Sequence, residues 1–230
     1  MPERRIDART FLPEITQRLR QTSHKTEPLR ALRREFSRRL KNAEPRSVVR
    51  LATTLRESGV VHRFFADELI ANHEGAMASL TKRDIEMMGK GMDTWDKVDC
   101  FGTIVAGPAW RMGLLDDATI AGWARSRDRW WRRAALVCTT RLNVAGTKGD
   151  AKRTLAVCGM LLDDRDDMVV KAMSWALRSL AERDPKSAER FVTAQRGRLA
   201  PRVLREVGNK LRTGLKTPTP ARPLSRMRKG

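Results

Sequence analysis

Apolar residues recur at intervals of three and four along most of the chain, the spacing that places them on one face of an α-helix. Two such series are Leu29, Leu32, Phe36, Leu40 and Val48, Leu51, Ala52, Leu55. The alternating β-branched and aromatic runs that indicate strands are missing from the sequence. The pattern therefore predicts an all-α protein.

Glycines and prolines divide this helical pattern into short segments. The predicted breaks fall at Pro45, Gly59, Gly75, Gly107-Pro108, Gly146–Gly149, Pro185 and Gly197. Residues 1–25 are predicted to hold one amphipathic helix and a polar connector. From Thr217 the chain is rich in proline and in basic residues, a composition that favours neither a helix nor a core. We therefore expect one helical domain over residues 1–216 and a flexible basic tail over residues 217–230.

One helical motif occurs twice. The segment from Arg127 reads RDRWWRRA, and RDDMVVKA begins 38 residues later at Arg165. A looser copy follows, with Arg205 lying 34 residues after Lys171. A period of about 35–40 residues made of two helices is typical of an α-solenoid of the HEAT or armadillo type, in which the second helices line an inner surface. We predict about six HEAT-like helix pairs in one curved domain with a basic concave face.

The charge balance indicates a polyanionic partner. The chain carries 47 Lys and Arg against 27 Asp and Glu, a net charge of +20. Such a surplus favours nucleic acid first and an anionic membrane surface second. No apolar run approaches the ~20 residues that a membrane span needs. The first residues lack the apolar stretch of a signal peptide, so we expect a cytoplasmic location, in association with the nucleoid.

Several classes of catalytic chemistry are not supported. Cys100, Cys138 and Cys158 are scattered, and we expect them to be small buried residues in a reducing compartment. With three histidines in the chain, no metal-ligand spacing can be assembled. Phosphate-cradling glycine loops are missing as well. The sequence predicts a function without a metal or a cofactor.

One stretch carries candidate chemistry. Trp95 and Asp99 stand four residues apart, hence on one face of a predicted helix. Two later helices supply Arg133, which follows two tryptophans, and Trp175, which stands between two cations. A carboxylate, indoles and arginines in a basic chain point to chemistry on a cationic group attached to a polyanion.

These motifs resemble the HEAT-like-repeat DNA alkylation-repair glycosylases (AlkD-like), over roughly residues 26–214. The family's Trp-Asp-x-Val-Asp is matched by Trp95–Asp99. Its aromatic residue followed by Arg-Ala-Ala is matched from Trp131 to Ala135, and its Lys-Ala-x-x-Trp-x-Leu-Arg is matched by Lys171–Arg178. The end of its last repeat resembles Leu199–Glu206. Four motifs in this order are far more specific than any one alone.

The resemblance implies excision of N3- or N7-alkylated purines from double-stranded DNA, leaving an abasic site, and we expect the protein to be a monomer. It implies that Trp95, Asp99 and Trp175 form the catalytic cleft and that Arg133 holds the DNA backbone beside the lesion. It also implies contacts with deoxyribose and phosphates rather than a pocket for a flipped base. We expect duplex DNA to lie along a concave face that carries Arg129, Arg132, Arg133, Lys171, Arg178 and Arg205.

The chemistry agrees with this assignment. Alkylation at N3 or N7 makes the purine a cationic and hence a good leaving group, and its departure leaves an oxocarbenium-like sugar. A carboxylate at Asp99 would stabilise that sugar and position the attacking water. Each indole would favour the developing positive charge by ~0.5–2 kcal/mol. No general acid is required, which suits a chain with few histidines.

Other interpretations remain open at this stage. A tryptophan at helical spacing is more often a core residue, and we expect this of Trp110 and Trp123, with Trp130 or Trp131 as a further candidate. The first helices depart from the family, which has a tyrosine there, whereas this chain has none and offers Phe11 instead. The alternatives to an enzyme are a HEAT-repeat protein that binds bent, damaged or branched DNA, and a scaffold for an acidic protein.

Overall fold

Helices make up the regular structure of the chain. The computed structural model describes residues 6–59 and 63–218. Within these ranges there is no strand, and Ile6 and Ala43 form only an isolated bridge. The helices are α1 (Leu12–Gln21), α2 (Thr26–Arg39), α3 (Pro45–Glu57), α4 (Arg63–Ala71), α5 (Glu74–Ala78), α6 (Lys82–Gly89), α7 (Trp95–Cys100), α8 (Gly107–Arg111), α9 (Asp117–Ala124), α10 (Arg129–Thr139), α11 (Ala151–Met160), α12 (Asp167–Ala181), α13 (Pro185–Ala194) and α14 (Pro201–Thr213). The predicted all-α class is confirmed.

Helices of the second half pack as successive pairs. Helix α9 packs on α10, α11 on α12, and α13 on α14. Across the pairs, α10 packs on α12 and α12 on α14, while α9 contacts α11 and α11 contacts α13. The first half continues the row of second helices, because α4 contacts both α2 and α7, and α7 contacts α10. We call this row, α2, α4, α7–α8, α10, α12 and α14, the second-helix layer. Packing of each pair only on its neighbours is consistent with a solenoid.

The second-helix layer contains one helix of unusual geometry. After α7 the chain continues without interruption through a π-helical stretch, Phe101–Ala106, into α8. The backbone N–H of Gly107 donates to the carbonyl of Gly102, five residues earlier. The predicted break at Gly107-Pro108 is therefore wrong. Pro108 lies inside this continuous helix, directly after the π-helical stretch, and does not end it.

The hydrophobic core runs between the two rows of helices. The three amphipathic segments expected near the N-terminus are confirmed as α1, α2 and α3, whose apolar positions are buried. Trp110 and Trp123 are buried, as expected. Trp131 forms a ring cluster with Trp123 and Phe101, its centroid lying 4.9 Å from that of Trp123 and 5.9 Å from that of Phe101.

The N-terminal helices hold an aromatic contact of their own. Phe11 meets Phe36 edge-on, with ring centroids 6.5 Å apart. The Arg39 guanidinium lies over both rings, 4.9 Å from the Phe11 centroid and 5.0 Å from that of Phe36. Phe11 thus serves the packing of the first helices.

Two further expectations concern the ends of the chain and the membrane. In the predicted tail only Thr217 and Pro218 belong to the described residues, and the expectation for 219–230 lies outside them. Among the described residues, no helix is both long and apolar enough to cross a membrane.

Candidate functional site

Helices α7 and α10 bring the central candidate residues together. Both helices begin where the sequence supplies an acidic first turn or cap. Asp96 lies in the first turn of α7, and the Asp128 side chain accepts a hydrogen bond from the backbone N–H of Trp130 at the start of α10. The two helices place Asp99 opposite Arg133, although these residues are 34 positions apart in the chain.

Asp99 and Arg133 form a bidentate ion pair. Nε of Arg133 donates to Oδ1 of Asp99 at 2.9 Å, and Nη2 donates to Oδ2 at 2.8 Å. The remaining Nη1 donates to the backbone carbonyl of Met168, in the first turn of α12, at 2.5 Å. One guanidinium therefore links three successive members of the second-helix layer, and all three of its nitrogens are engaged.

The two side chains of this ion pair differ in their exposure to solvent. The Arg133 side chain is 6% exposed, and that of Asp99 is 19% exposed. Burial raises the pKa of Asp99, and the hydrogen bonds and charge of Arg133 oppose that rise. A carboxylate has about four lone-pair positions, of which Arg133 takes two. The solvent-facing side of Asp99 can therefore accept a proton from water or orient a water molecule.

A close approach between the helices sets this geometry. A Cβ atom on Gly102 would lie 2.7 Å from Cγ1 of Val137, so only glycine allows the π-helical stretch to contact α10 at this distance. Likewise, a Cβ atom on Gly107 would lie 2.7 Å from Cγ of Arg141. Because Asp99, Gly102 and Gly107 meet residues of increasing number on α10 and its extension, the two helices run parallel.

The two cleft tryptophans differ in exposure. Trp95, the first residue of α7, is 57% exposed and lies one turn before Asp99 on the same face. Trp175 is half-buried and packs against the hydrophobic core from α12, seven residues after Met168. Among the described residues, no hydrogen bond or ring contact joins either indole to Asp99 or Arg133. The structure thus brings Asp99 and Arg133 together, places Trp95 beside them, and puts Trp175 about two helical turns along the neighbouring helix.

The other predicted DNA-binding cations fall into two groups. Arg132 and Arg178 are half-buried in polar contacts: Arg132 pairs with Asp164 at 2.7 Å, and Nε of Arg178 lies 3.3 Å from Oγ of Ser174. Oγ of Ser174 donates to the buried carboxylate of Glu206.

The second group is more exposed. Arg129 lies over the Trp130 ring and pairs loosely with Asp166 at 3.4 Å, while Lys171 pairs with Asp167 at 2.7 Å. Arg205 is exposed on α14. Their roles in DNA binding stay predictions.

Cys100, next to Asp99, does not act as a nucleophile in this setting. Burial raises the pKa of its thiol to about 12, with the neighbouring carboxylates adding to the rise. The thiol is therefore neutral near neutral pH, whereas the thiolate is the reactive form. Asp99 is the chemically available group at this position.

Sequence reasoning missed one partner in the site. The carbonyl of Met168 belongs to the backbone, so no side-chain pattern marks it. The recurring motif from Arg165 did align the first turn of α12 with the first turn of α10. That alignment is the one signal in the sequence that could have pointed to Met168.

Comparison with known proteins identifies one match. A family model described as DNA alkylation repair enzyme matches residues 9–211. This range includes Asp99, Arg133 and both cleft tryptophans. No curated protein matches the chain.

Proposed function

Because the chain belongs to the DNA alkylation repair enzyme family, we propose that it is a DNA glycosylase that excises cationic N3- and N7-alkylated purines from duplex DNA. The observation that carries this proposal is the Asp99 carboxylate, held by Arg133 next to the exposed indole of Trp95. The proposed enzyme acts as a monomer and needs no cofactor.

The reaction begins with a purine that already bears a positive charge. The bond between C1′ of the deoxyribose and N9 of the purine breaks, and its electron pair leaves with the base, which becomes neutral. The sugar is left as an oxocarbenium-like cation, which the negative charge of Asp99 stabilises. Water then attacks C1′ and gives up one proton to Asp99 or to solvent, so the product is an abasic site.

Arg133 acts as a positioning residue for Asp99. Two parallel hydrogen bonds fix the plane of the carboxylate, and the guanidinium opposes the rise in the pKa of Asp99 that burial causes. The resemblance implies that Arg133 also holds the DNA backbone. Three of its five N–H donors are engaged here, so a phosphate oxygen would have to approach the second N–H of Nη1 or Nη2, on a side chain that is 6% exposed.

Trp95 supplies the aromatic surface of the site. Its exposed ring can face the deoxyribose from the same side of α7 as Asp99 and favour the cationic sugar by ~0.5–2 kcal/mol. Trp175, which the resemblance also assigns to the cleft, adds a second indole from α12. The exposed cations Arg129, Lys171 and Arg205 supply phosphate contacts that set the register of the duplex.

A glycosylase assay tests this proposal directly. The wild-type protein is incubated with a duplex that contains a single 7-methylguanine, and abasic sites are converted to strand breaks by alkali. The same duplex with unmodified guanine serves as the control substrate. Strand breaks in the duplex with 7-methylguanine, but not in the unmodified control, support the proposal. Tight binding to the duplex without any such breaks contradicts it.

One alternative is favoured by a specific feature. The chain has no tyrosine, and Phe11, which could replace one, packs against Phe36 and Arg39 in the first helices. A site with one aromatic wall fewer would suit a protein that binds distorted DNA without breaking glycosidic bonds. The assay above separates the two functions.

A further inference from the structure

A basic pocket lies away from Asp99, between helices of the second-helix layer and α5. Its volume is about 430 Å³, and its lining comes from α4, α5, the π-helical stretch, α8 with the residue after it, and the turn after α10. Two arginines, Arg111 and Arg141, stand in this lining beside Thr103. The rest of the wall is apolar, with Ile104 and Met112 among its members.

The two arginines have no counter-charge within the chain as far as the structure describes it. Arg111 is exposed and Arg141 is half-buried. Neither guanidinium group forms an ion pair or a hydrogen bond with another described residue. Nε of Arg141 is buried without an acceptor. Burial and the nearby charge of Arg111 both lower the pKa of Arg141. A buried cationic donor without an acceptor is costly, so this arrangement suits an anion supplied from outside.

A simpler reading is that each arginine only complements a helix C-terminus. Both do lie in the last turn of their helical segments, where a cation is favourable. Cations in that role commonly bond the free carbonyls of the last turn. Neither guanidinium does so among the described residues, and both line the same pocket. Helix capping therefore does not explain why the two guanidinium groups line the same pocket.

The position of Arg141 is built into the helix packing. Its Cβ and Cγ atoms occupy the space that a Cβ atom on Gly107 would need, at 2.9 and 2.7 Å. The stem of the side chain is thus fixed by the bare backbone of Gly107, and the head group lies at the pocket. Such preorganisation lowers the entropic cost of binding an anion.

The pocket lies along the same helices as the candidate site. Arg141 follows Arg133 by eight residues, a rise of ~12 Å. Thr103 follows Asp99 by one turn, and its hydroxyl donates to the carbonyl of Asp99 at 2.6 Å. Since a DNA strand carries one phosphate per ~3.4 Å of helix axis, ~12 Å corresponds to three or four phosphates. A duplex bound at Asp99 can therefore extend to this pocket.

We propose that Arg111 and Arg141 form a second anchor for the DNA backbone, in which the two guanidinium groups bind one phosphodiester and the apolar wall accepts the adjoining deoxyribose. This proposal rests on DNA as the substrate of the proposed function. It does not depend on base excision. A backbone phosphate can accept the unused hydrogen bond of Arg141, and its single negative charge offsets part of the charge of the two guanidinium groups.

The test measures duplex binding against salt concentration by fluorescence anisotropy, using undamaged DNA. Arg111→Gln removes one exposed cation and leaves the packed stem of Arg141 intact, so the fold should survive. Because Arg141 still contacts the same phosphodiester, loss of the Arg111 contact should lower the magnitude of the slope of log affinity against log salt by up to roughly 0.9, at most about eightfold in affinity at ~0.1 M salt. Arg190→Gln on α13, the same charge change at an exposed site in the other row of helices, should leave the slope unchanged.

Inorganic phosphate tests whether the pocket binds a free phosphate ion rather than a phosphate of the DNA backbone. Thermal unfolding of wild type and Arg111→Gln is followed with added phosphate at constant ionic strength. Equal DNA slopes in Arg111→Gln and wild type overturn the proposal. If phosphate then stabilises wild type alone, the pocket takes a free anion instead. Wild type that binds DNA but excises nothing would refute the glycosylase function, while the slope comparison still decides the pocket.

Discussion

Both oxygens of the Asp99 carboxylate accept hydrogen bonds from the Arg133 guanidinium, at 2.9 and 2.8 Å. This pairing joins α7 to α10 and leaves the carboxylate partly open to solvent. It gives Arg133 control over the protonation of Asp99, because burial favours the neutral acid and the guanidinium favours the carboxylate. The proposed chemistry needs the carboxylate, so activity and stability should both follow this balance.

The pH dependence of excision should reveal the pair. Excision is expected to fall as the pH drops toward the raised pKa of Asp99, because protonation removes the stabilising charge. In Arg133→Gln the pKa of Asp99 loses its main lowering influence, so the acidic limb should move to higher pH. Single-turnover rates across the pH range locate the acidic limb of the pH–rate profile. Arg190→Gln, which changes the charge by the same amount, serves as the control. Superimposable profiles for Arg133→Gln and wild type would show that Arg133 does not control Asp99.

The stability of Arg133→Gln should depend on pH in a definite direction. The variant leaves a partly buried carboxylate without its cation, which should cost roughly 2–4 kcal/mol near neutral pH, given the residual exposure of Asp99. The folded-state pKa of Asp99 then lies above its unfolded value, so the variant is most stable below the unfolded pKa and loses stability as the pH rises through the folded pKa. Urea unfolding at several pH values should show a deficit that shrinks on acidification. A deficit independent of pH would point to lost packing alone.

A methyl group at Gly102 should disturb the site through the backbone. In Gly102→Ala the new Cβ atom would meet Val137 at 2.7 Å, so the π-helical stretch and α7, which precedes it, must move from α10, at a cost of about 1–3 kcal/mol. The shift should also lower excision, because it separates Asp99 from Arg133. Gly122→Ala on α9 has nothing within 4 Å and should be neutral or stabilise by up to ~1 kcal/mol. Urea midpoints that change equally in the two variants would contradict the close contact.

Two tryptophans should respond differently to truncation. Trp95 is 57% exposed, so Trp95→Ala should reduce excision while changing the melting temperature little. Trp123 is 7% exposed within the ring cluster, so Trp123→Ala should lose about 3–5 kcal/mol of stability. Excision rates and unfolding curves for both variants separate the two roles. An unchanged excision rate in Trp95→Ala would remove this indole from the mechanism.

Much of the helix packing could be predicted from the sequence. The recurring arginine and apolar positions of α10 and α12 give their register, and the apolar spacing of α2 and α3 gives their buried faces. The partner of Arg133 could not be predicted, because it depends on the distance between α7 and α10. That distance follows from Gly102 against Val137, a contact between residues that share no sequence pattern.

The π-helical stretch was also beyond prediction. Its hydrogen bonds span five residues, as between Gly107 and Gly102, and no apolar period marks such a turn. Gly107-Pro108 therefore resembled a helix end in the sequence. In the structure the same glycine admits the stem of Arg141, so the dipeptide serves packing rather than termination.

The most direct test of the proposed mechanism compares Asp99→Asn with Asp93→Asn. Both variants remove one negative charge near the start of α7, but Asp93 is exposed and pairs with Lys97 rather than Arg133. Excision of 7-methylguanine from duplex DNA is measured under single-turnover conditions, together with duplex affinity. Asp99→Asn should slow excision by roughly 10²–10³ with affinity retained, because the charge facing the oxocarbenium-like sugar is lost. Asp93→Asn should excise at close to the wild-type rate, and an Asp99→Asn protein that does the same would contradict the mechanism.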